Sequence, residues 1–280
     1  MTYSWIFCRV PAPQRADGRG GVTAGVPPTL PDLVRGFRGT DADSRWFFRR
    51  IDHPTAPALA LWFGGGTRTL REIEERIQLE YAVAGRPIEC EYLPQRAPHH
   101  AHACDIEFTD DLSTASSDLA IEVMQGSGYT PDEQLALAIL HIRHLVALVP
   151  ERERRAFLFQ CWQAWTEKLT PDQRTELSGQ AELEESAALF AVLAPPMPTA
   201  VADRWYRYLV TLHRVTTGQW ATEGAPVNYH LFDHAHLTHG RLGIPAVTEA
   251  LAARLVRASL SPSGRDQLPL AVPAAALQTA

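Results

Sequence analysis

Four histidines crowd one stretch of this chain, His230, His234, His236 and His239, and Tyr229 directly precedes them. Imidazole titrates nearest neutrality, so such a segment can do general acid–base work or hold a transition metal. The His-x-His-x-x-His run from His234 to His239 has ligand-like spacing, and the pattern alone leaves both uses open. Tyr229 adds a phenol that can give and accept a proton; its plainer role is a half-buried tyrosine with a satisfied hydroxyl. A second group, His99, His100, His102 and Cys104, lies among Pro and Ala and reads as a solvated loop. Gly64-Gly65-Gly66-Thr67 lacks the Gly-Lys-Ser/Thr or G-x-G-x-x-G spacing of a phosphate cradle and reads as a flexible turn. Lys168 stands as the only lysine beside 25 arginines, which all but removes Schiff-base chemistry. Cys8, Cys90, Cys104 and Cys161 form no C-x-x-C pair and read as reduced thiols.

Elements that would position these groups fall into two zones. Ser4 to Val10 is a short apolar run, a strand candidate. Ser44 to Ile51 and Ala58 to Phe63 are two more, and the Pro-rich turn between them implies a hairpin. Leu70, Ile73, Ile77 and Tyr81 recur at helical spacing over Leu70 to Ala84, with Gly85 ending the helix. Ile88 to Leu93 and Asp105 to Phe108 can return as strands. Beyond them Thr130-Pro131-Asp132-Glu133 is a helix start with cap, proline and acid in register. Helices follow to about Val149, over Glu151 to Leu169, from Thr170-Pro171-Asp172 onward, over Ala202 to Thr217 and over Pro245 to Leu260. Trp162, Trp165, Trp205, Tyr206 and Tyr208 belong mostly to the core, with the Trp205–Tyr208 cluster also suited to line an apolar groove.

Strands first and helices later imply an α+β fold, a mixed sheet from the N-terminal strands packed against several C-terminal helices. The alternative is a β-rich half and a separate helical half meeting near Gly126 to Tyr129. Residues 1–280 read as one domain, with 11–31 a mobile loop and 261–280 a frayed tail. The net charge of -6 gives no basic face for nucleic acid. No apolar run is long enough for a membrane helix, and no signal peptide is legible, so the expected location is cytoplasmic.

Three stretches carry a family resemblance. Arg45-Trp46-Phe47-Phe48-Arg49-Arg50-Ile51-Asp52-His53-Pro54, followed by Ala58-Leu59-Ala60-Leu61-Trp62-Phe63-Gly64-Gly65, is similar to a hairpin of the lantibiotic dehydratase C-terminal family, also called thiopeptide-type bacteriocin biosynthesis proteins. His236-Leu237-Thr238-His239-Gly240-Arg241-Leu242-Gly243-Ile244, with Glu249 and Leu251 downstream, resembles that family's late His-x-x-x-Asn-Arg-Leu-Gly segment. Ser116-Ser117-Asp118-Leu119-Ala120 resembles its Ser-rich helix start. The resemblance implies the fold of the elimination domain and a ribosomally made peptide as substrate. Most members eliminate glutamate from glutamylated Ser or Thr. A divergent branch instead joins two dehydroalanines in a formal [4+2] cycloaddition that makes the central pyridine of thiopeptides.

Departures from the family pattern choose between these branches. Where the family's strand reads roughly His-Leu-Arg-Leu-Arg-Phe, this chain has Ala58-Leu59-Ala60-Leu61-Trp62-Phe63. Alanine and tryptophan cannot fork onto a carboxylate as arginine does. The family's Tyr-Glu-Pro-Glu and Arg-Tyr-Gly-Gly segment is also missing; Glu91-Tyr92-Leu93-Pro94-Gln95-Arg96 is the nearest stretch. His236 matches the family's catalytic histidine. The implied activity is therefore pyridine synthesis on a leader-bearing, azole-containing peptide, with His236 and Tyr229 as acid–base groups. Trp46, Arg49, Arg50, Trp62, Tyr206 and Arg241 are the expected substrate contacts. Two other readings stand beside it: glutamate elimination with Arg49, Arg50 or Arg96 taking over, and a non-catalytic precursor-binding partner. The partners are the precursor peptide with its leader and the pathway's other modification enzymes, with neither nucleic acid nor membrane. No cofactor and no metal is implied.

Overall fold

The computed structural model describes residues 3–16, 22–40, 43–51, 53, 55–82, 87–93, 109–125, 130–167, 169–180, 197–218 and 227–260. Four strands form one sheet: β1 (Tyr3–Pro11), β4 (Arg45–Ile51), β5 (Ala58–Gly66) and β6 (Cys90–Leu93), in the order β4-β5-β1-β6. Every ladder in it is antiparallel rather than mixed. The hairpin forms as the sequence implied, and its register sets Phe47 opposite Trp62 and Phe48 opposite Leu61. Central β5 is buried on both faces. Leu59, Leu61 and Phe63 enter the main core, while Ala60 and Trp62 turn to the other side with Trp5, Phe47 and Leu93. The period of two along a strand makes this division.

Two sequence expectations change here. Gly64, Gly65 and Gly66 are no turn: they pair with Trp5, Ser4 and Tyr3, and the chain passes from Gly66 straight into the helix α2 (Thr67–Tyr81). The aperiodic 11–31 segment contains a two-stranded ladder, β2 (Gln14–Ala16) with β3 (Val22–Ala24), and the start of the helix α1 (Leu30–Thr40). Both α1 and α2 turn apolar faces to the main core. Leu30, Leu33 and Phe37 meet Leu70, Ile73 and Ile77 there, and Phe37 sits edge-on to Phe63 with ring centroids 4.9 Å apart. Gly85, Asp105 to Phe108, the His99–Cys104 group, Arg96, Lys168 and the 261–280 tail lie outside the described residues.

The helix α3 (Asp110–Met124) closes the β4 edge. Thr109 caps it, its side chain accepting from the Leu112 N–H. Ser116 and Ser117 sit in its buried middle and not at its start. Thr114 Oγ1 accepts from the Trp46 N–H at 3.2 Å, and Ser117 Oγ from the Phe48 N–H at 3.3 Å. An edge strand with unpaired amides templates aggregation, and hydroxyls from a covering helix remove that hazard.

The remaining helices are α4 (Pro131–Ala147), α5 (Arg154–Trp165), α6 (Thr199–Thr217), α7 (Val227–Leu242) and α8 (Ala246–Ser259), with a further helical stretch at 171–180. The capping box at Thr130 and Glu133 is present in both directions, Glu133 N–H to Thr130 Oγ1 and Thr130 N–H to Glu133 Oε2. Alanines 250, 252 and 253 let α8 pack closely on α4 and α5, while α3 carries α6 and α7. Helix α7, which contains the histidine segment, also touches β4. Its end is held by Arg50, which donates to the Arg241 carbonyl from Nε at 3.2 Å and Nη2 at 3.1 Å, and to the Ala24 carbonyl. Gly243 follows with φ of 73°, and a Cβ there would lie 3.1 Å from Arg50 Nη2. Both the left-handed backbone and the close guanidinium require glycine at this position.

Candidate functional site

The helical winding of α7 sends its histidines to opposite sides. His234 and His239 are fully buried, while His236 keeps 46% of its side chain exposed. Glu249 on α8, only 1% exposed, reaches His236 Nδ1 with Oε2 at 2.9 Å. Its other oxygen lies 3.9 Å from His239 Nδ1. Burial raises the Glu249 carboxyl above its ordinary value, and the His236 ring opposes that rise. With Glu249 ionised, Nδ1 of His236 must be the donor, and Nε2 becomes the accepting nitrogen. This is how a second group orients a catalytic imidazole. The Trp165 ring lies over that of His236 with centroids 6.4 Å apart and planes at 25°.

Behind this pair runs a buried polar chain. His239 Nε2 meets His141 Nδ1 at 2.9 Å, His141 Nε2 meets the Tyr208 hydroxyl at 2.6 Å, and that hydroxyl meets His234 Nε2 at 2.8 Å. Thr238 Oγ1 then lies 2.9 Å from Ser116 Oγ, and Arg241 Nη1 donates to Ser116 Oγ at 3.2 Å. Burial drives His141 and His239 well below the usual histidine range and His234 down to about 3. It pushes the Tyr208 phenol upward. The three rings are therefore neutral, each with one N–H and one lone pair. Two proton orders satisfy the links. An ionised Glu249 favours the one in which His234 donates to Tyr208, Tyr208 to His141 and His141 to His239, leaving the His239 Nδ1–H toward the carboxylate.

The second face of the sheet is aromatic. Phe47 and Trp62 stack with centroids 4.9 Å apart and planes at 15°, Trp5 lies 5.7 Å from Phe47, and Phe7 lies 5.0 Å from Trp62. The Arg49 guanidinium sits over the Trp62 ring at 5.6 Å. Phe7, Arg49 and Ile51 are half-buried, whereas Trp5, Phe47 and Trp62 are buried. This wall is apolar, with the half-buried Phe7, Ile51 and Arg49 at its accessible edge, where a carboxylate clamp would need several guanidiniums.

The expected site residues separate on the structure. Arg49 and Trp62 belong to the aromatic wall. Trp46 does not, being fully buried in the main core with Nε1 donating to Asp118 Oδ1 at 2.9 Å. Arg50 clamps the end of α7. Arg241 is 1% exposed: Nε donates to the Phe48 carbonyl at 2.9 Å, and the guanidinium lies 5.9 Å from the Phe47 ring. These three act as struts, because their polar atoms are directed at backbone or at buried partners. Tyr206 is exposed on α6, and Tyr229 is 57% exposed seven residues before His236, two helical turns along the same side of α7. Sequence reasoning missed His141, named Glu249 only as part of the resembling segment, and read Tyr208 as a groove or core residue and His234 as a possible metal ligand, none of them as a member of a buried hydrogen-bonded chain. Glu249 was the legible one, a lone acid in the apolar stretch of α8. Among the described residues no group of three or more His, Cys, Asp and Glu is arranged for a metal ion, and no helix is long and apolar enough to cross a membrane.

No curated protein matches the chain. Among solved structures it is similar to TsrL, with a TM-score of 0.55 at 12% identity over 95% of this chain and 96% of that one. It is similar to TbtD, the pyridine synthase from thiomuracin biosynthesis, with a TM-score of 0.52 at 16% identity over 92% and 97%. It also matches MibB, the tRNA-dependent lantibiotic dehydratase of Microbispora sp. 107891, with a TM-score of 0.47 at 19% identity, covering 90% of this chain and spanning 27% of MibB. The family model for the lantibiotic biosynthesis dehydratase C-terminal region matches residues 5–260, so the chain belongs to that family.

Proposed function

We propose that this protein is a pyridine-forming enzyme of thiopeptide biosynthesis. Its substrate is a leader-bearing, azole-containing peptide with two dehydroalanines, which it joins by formal [4+2] cycloaddition with loss of water and of the leader. The observation that carries the reading is the aromatic wall at Ala60 and Trp62. The family's glutamate-eliminating members place arginines at these positions, and here Phe47 and Trp62 stack within a buried apolar cluster with Trp5, bordered by the half-buried Phe7. Such a surface suits thiazole rings and dehydroalanine methylenes.

Most of the catalysis is positioning, which supplies roughly 7–11 kcal/mol when the reacting atoms are pre-oriented. The rest is proton movement. One amide must pass its N–H proton to its own oxygen to become an iminol, and water and the leader amide must leave. His236, turned by Glu249 so that Nε2 accepts, can take the first proton and return it. Tyr229 is the second proton carrier, and Arg49 and Trp62 hold the peptide. No cofactor enters these steps.

Glutamate elimination is the other reading. Arg49, seated over Trp62, is the observation in its favour, because it leaves one guanidinium on the wall. Incubation with the dehydrated azole peptide separates the two by mass. Loss of water plus the leader supports cycloaddition, loss of a glutamyl group from a glutamylated peptide supports elimination, and tight binding without mass change leaves a non-catalytic partner.

A further inference from the structure

Away from the aromatic wall, α1, β4, α3 and α6 enclose a cavity of about 300 Å³. Arg38, Arg45, Arg204, Arg207 and Arg214 line it, against Asp111 and Asp118. Five guanidiniums against two carboxylates leave three positive charges in excess. The aspartates are already shared. Asp111 takes Arg45 and, at 3.3 Å, Arg214; Asp118 takes Arg38 and, at 3.7 Å, Arg204. Glu122, outside the cavity wall, lies 3.8 Å from Arg204 and lowers the excess to two. Among the described residues no acidic side chain pairs with Arg207, which is exposed on α6. The chain as a whole carries a net charge of -6, so this concentration of arginine runs against its overall charge.

The arrangement is elongated. Arg204, Arg207 and Arg214 lie on one face of α6, and ten residues at about 1.5 Å each separate the first and last by roughly 15 Å. A compact tetrahedral anion meets one or two guanidiniums, whereas an extended chain at about 3.3 Å per residue passes the whole row in roughly five residues. We propose that this cavity binds an acidic segment of the peptide on which the enzyme works, its carboxylates pairing with Arg207, Arg214 and Arg204. The inference rests on the proposed peptide substrate and adds where, and by what chemistry, a second part of that peptide is held.

The test is fluorescence anisotropy with a fluorescein-labelled peptide carrying a run of glutamates, and with its twin carrying glutamines. The glutamate peptide is expected to bind, and to bind less as salt rises. The paired substitution Arg207→Glu with Arg214→Glu should weaken it by about tenfold or more. Arg207→Gln, at an exposed site with no acidic partner among the described residues, should weaken it to a lesser degree without moving the thermal midpoint. Arg155→Glu on α5 should leave binding unchanged. Equal binding of the glutamine twin, unchanged affinity of the paired variant, or displacement by inorganic phosphate at the same charge concentration overturns the proposal. Glutamate-peptide binding without mass change on the azole peptide sinks the cycloaddition reading and leaves the acidic-segment site standing. Turnover of the azole peptide without such binding does the reverse.

Discussion

The aromatic face of the sheet and the histidine chain between the helices solve burial in opposite ways. On the sheet, Phe47, Trp62, Trp5 and Phe7 are neighbours by register, and their burial rests on apolar area and ring stacking. Between the helices, His141, Tyr208, His234 and His239 come from three separate elements and are buried as a hydrogen-bonded chain, in which Nδ1 of His234 and of His239 make no hydrogen bond among the described residues. The first region tolerates shape-conserving change. The second is all-or-none, since removing one member leaves a buried polar group without its partner. The two meet at Arg241, whose guanidinium reaches Ser116 of the polar chain and lies near Phe47 of the wall.

Rate is where the comparison breaks most sharply. His236→Ala should lower turnover of the azole peptide by about 10²–10⁴-fold and change peptide affinity little, because proton transfer is lost while the wall remains. Unchanged turnover removes His236 from the mechanism. Glu249→Gln should lower turnover less and shift the acid limb of the pH–rate profile, which a purely structural glutamate would not move.

Acid should act next, and through the polar region. His141, His234 and His239 are held below the usual histidine value of 6.5 by burial. The unfolded chain therefore binds protons that the folded chain refuses. Their contribution is intact above pH 6.5 and is lost as the pH falls from there toward about 3, the value to which His234 is pushed. Glu249, raised by burial, works in the opposite sense as pH rises above its ordinary carboxyl value. The thermal midpoint followed by circular dichroism should drop across that acid window. A flat profile between pH 6.5 and 4 would show that the chain is hydrated.

Smaller effects separate the struts. Arg241→Met leaves the Phe48 carbonyl without the Arg241 donor and Ser116 with Thr238 alone, and should cost about 3 kcal/mol in urea unfolding. If Arg241 instead binds substrate, the variant loses affinity with stability kept. Ser117→Ala removes the hydroxyl from the Phe48 N–H at the sheet edge and should cost about 1 kcal/mol. Its activity should stay at the wild-type level, since the aromatic wall is on the other face of β4.

Legibility followed the same division. The hairpin could be read from its turn chemistry, and the placing of Arg49 and Arg50 on opposite faces from alternation, because the backbone itself sets a period of two; the register came only with the structure. The capping box at Thr130 was equally plain, its donors and acceptors lying within three residues. Helix α7 was not legible as a helix. Its inward side carries His234, Thr238, His239 and Arg241 in place of aliphatic residues, so the usual apolar stripe is absent. The Gly64–Gly66 run misled because glycine marks turns locally, while pairing with β1 holds it extended. By itself, then, the sequence determined the sheet's order of faces, most helix starts and the absence of arginines at Ala60 and Trp62. Only the tertiary structure decided that His236 is turned by Glu249, that Arg50 and Arg241 are struts, and that five arginines surround one cavity. Those facts depend on side chains from 13 to 193 residues apart, and no local periodicity encodes where packing brings such groups together.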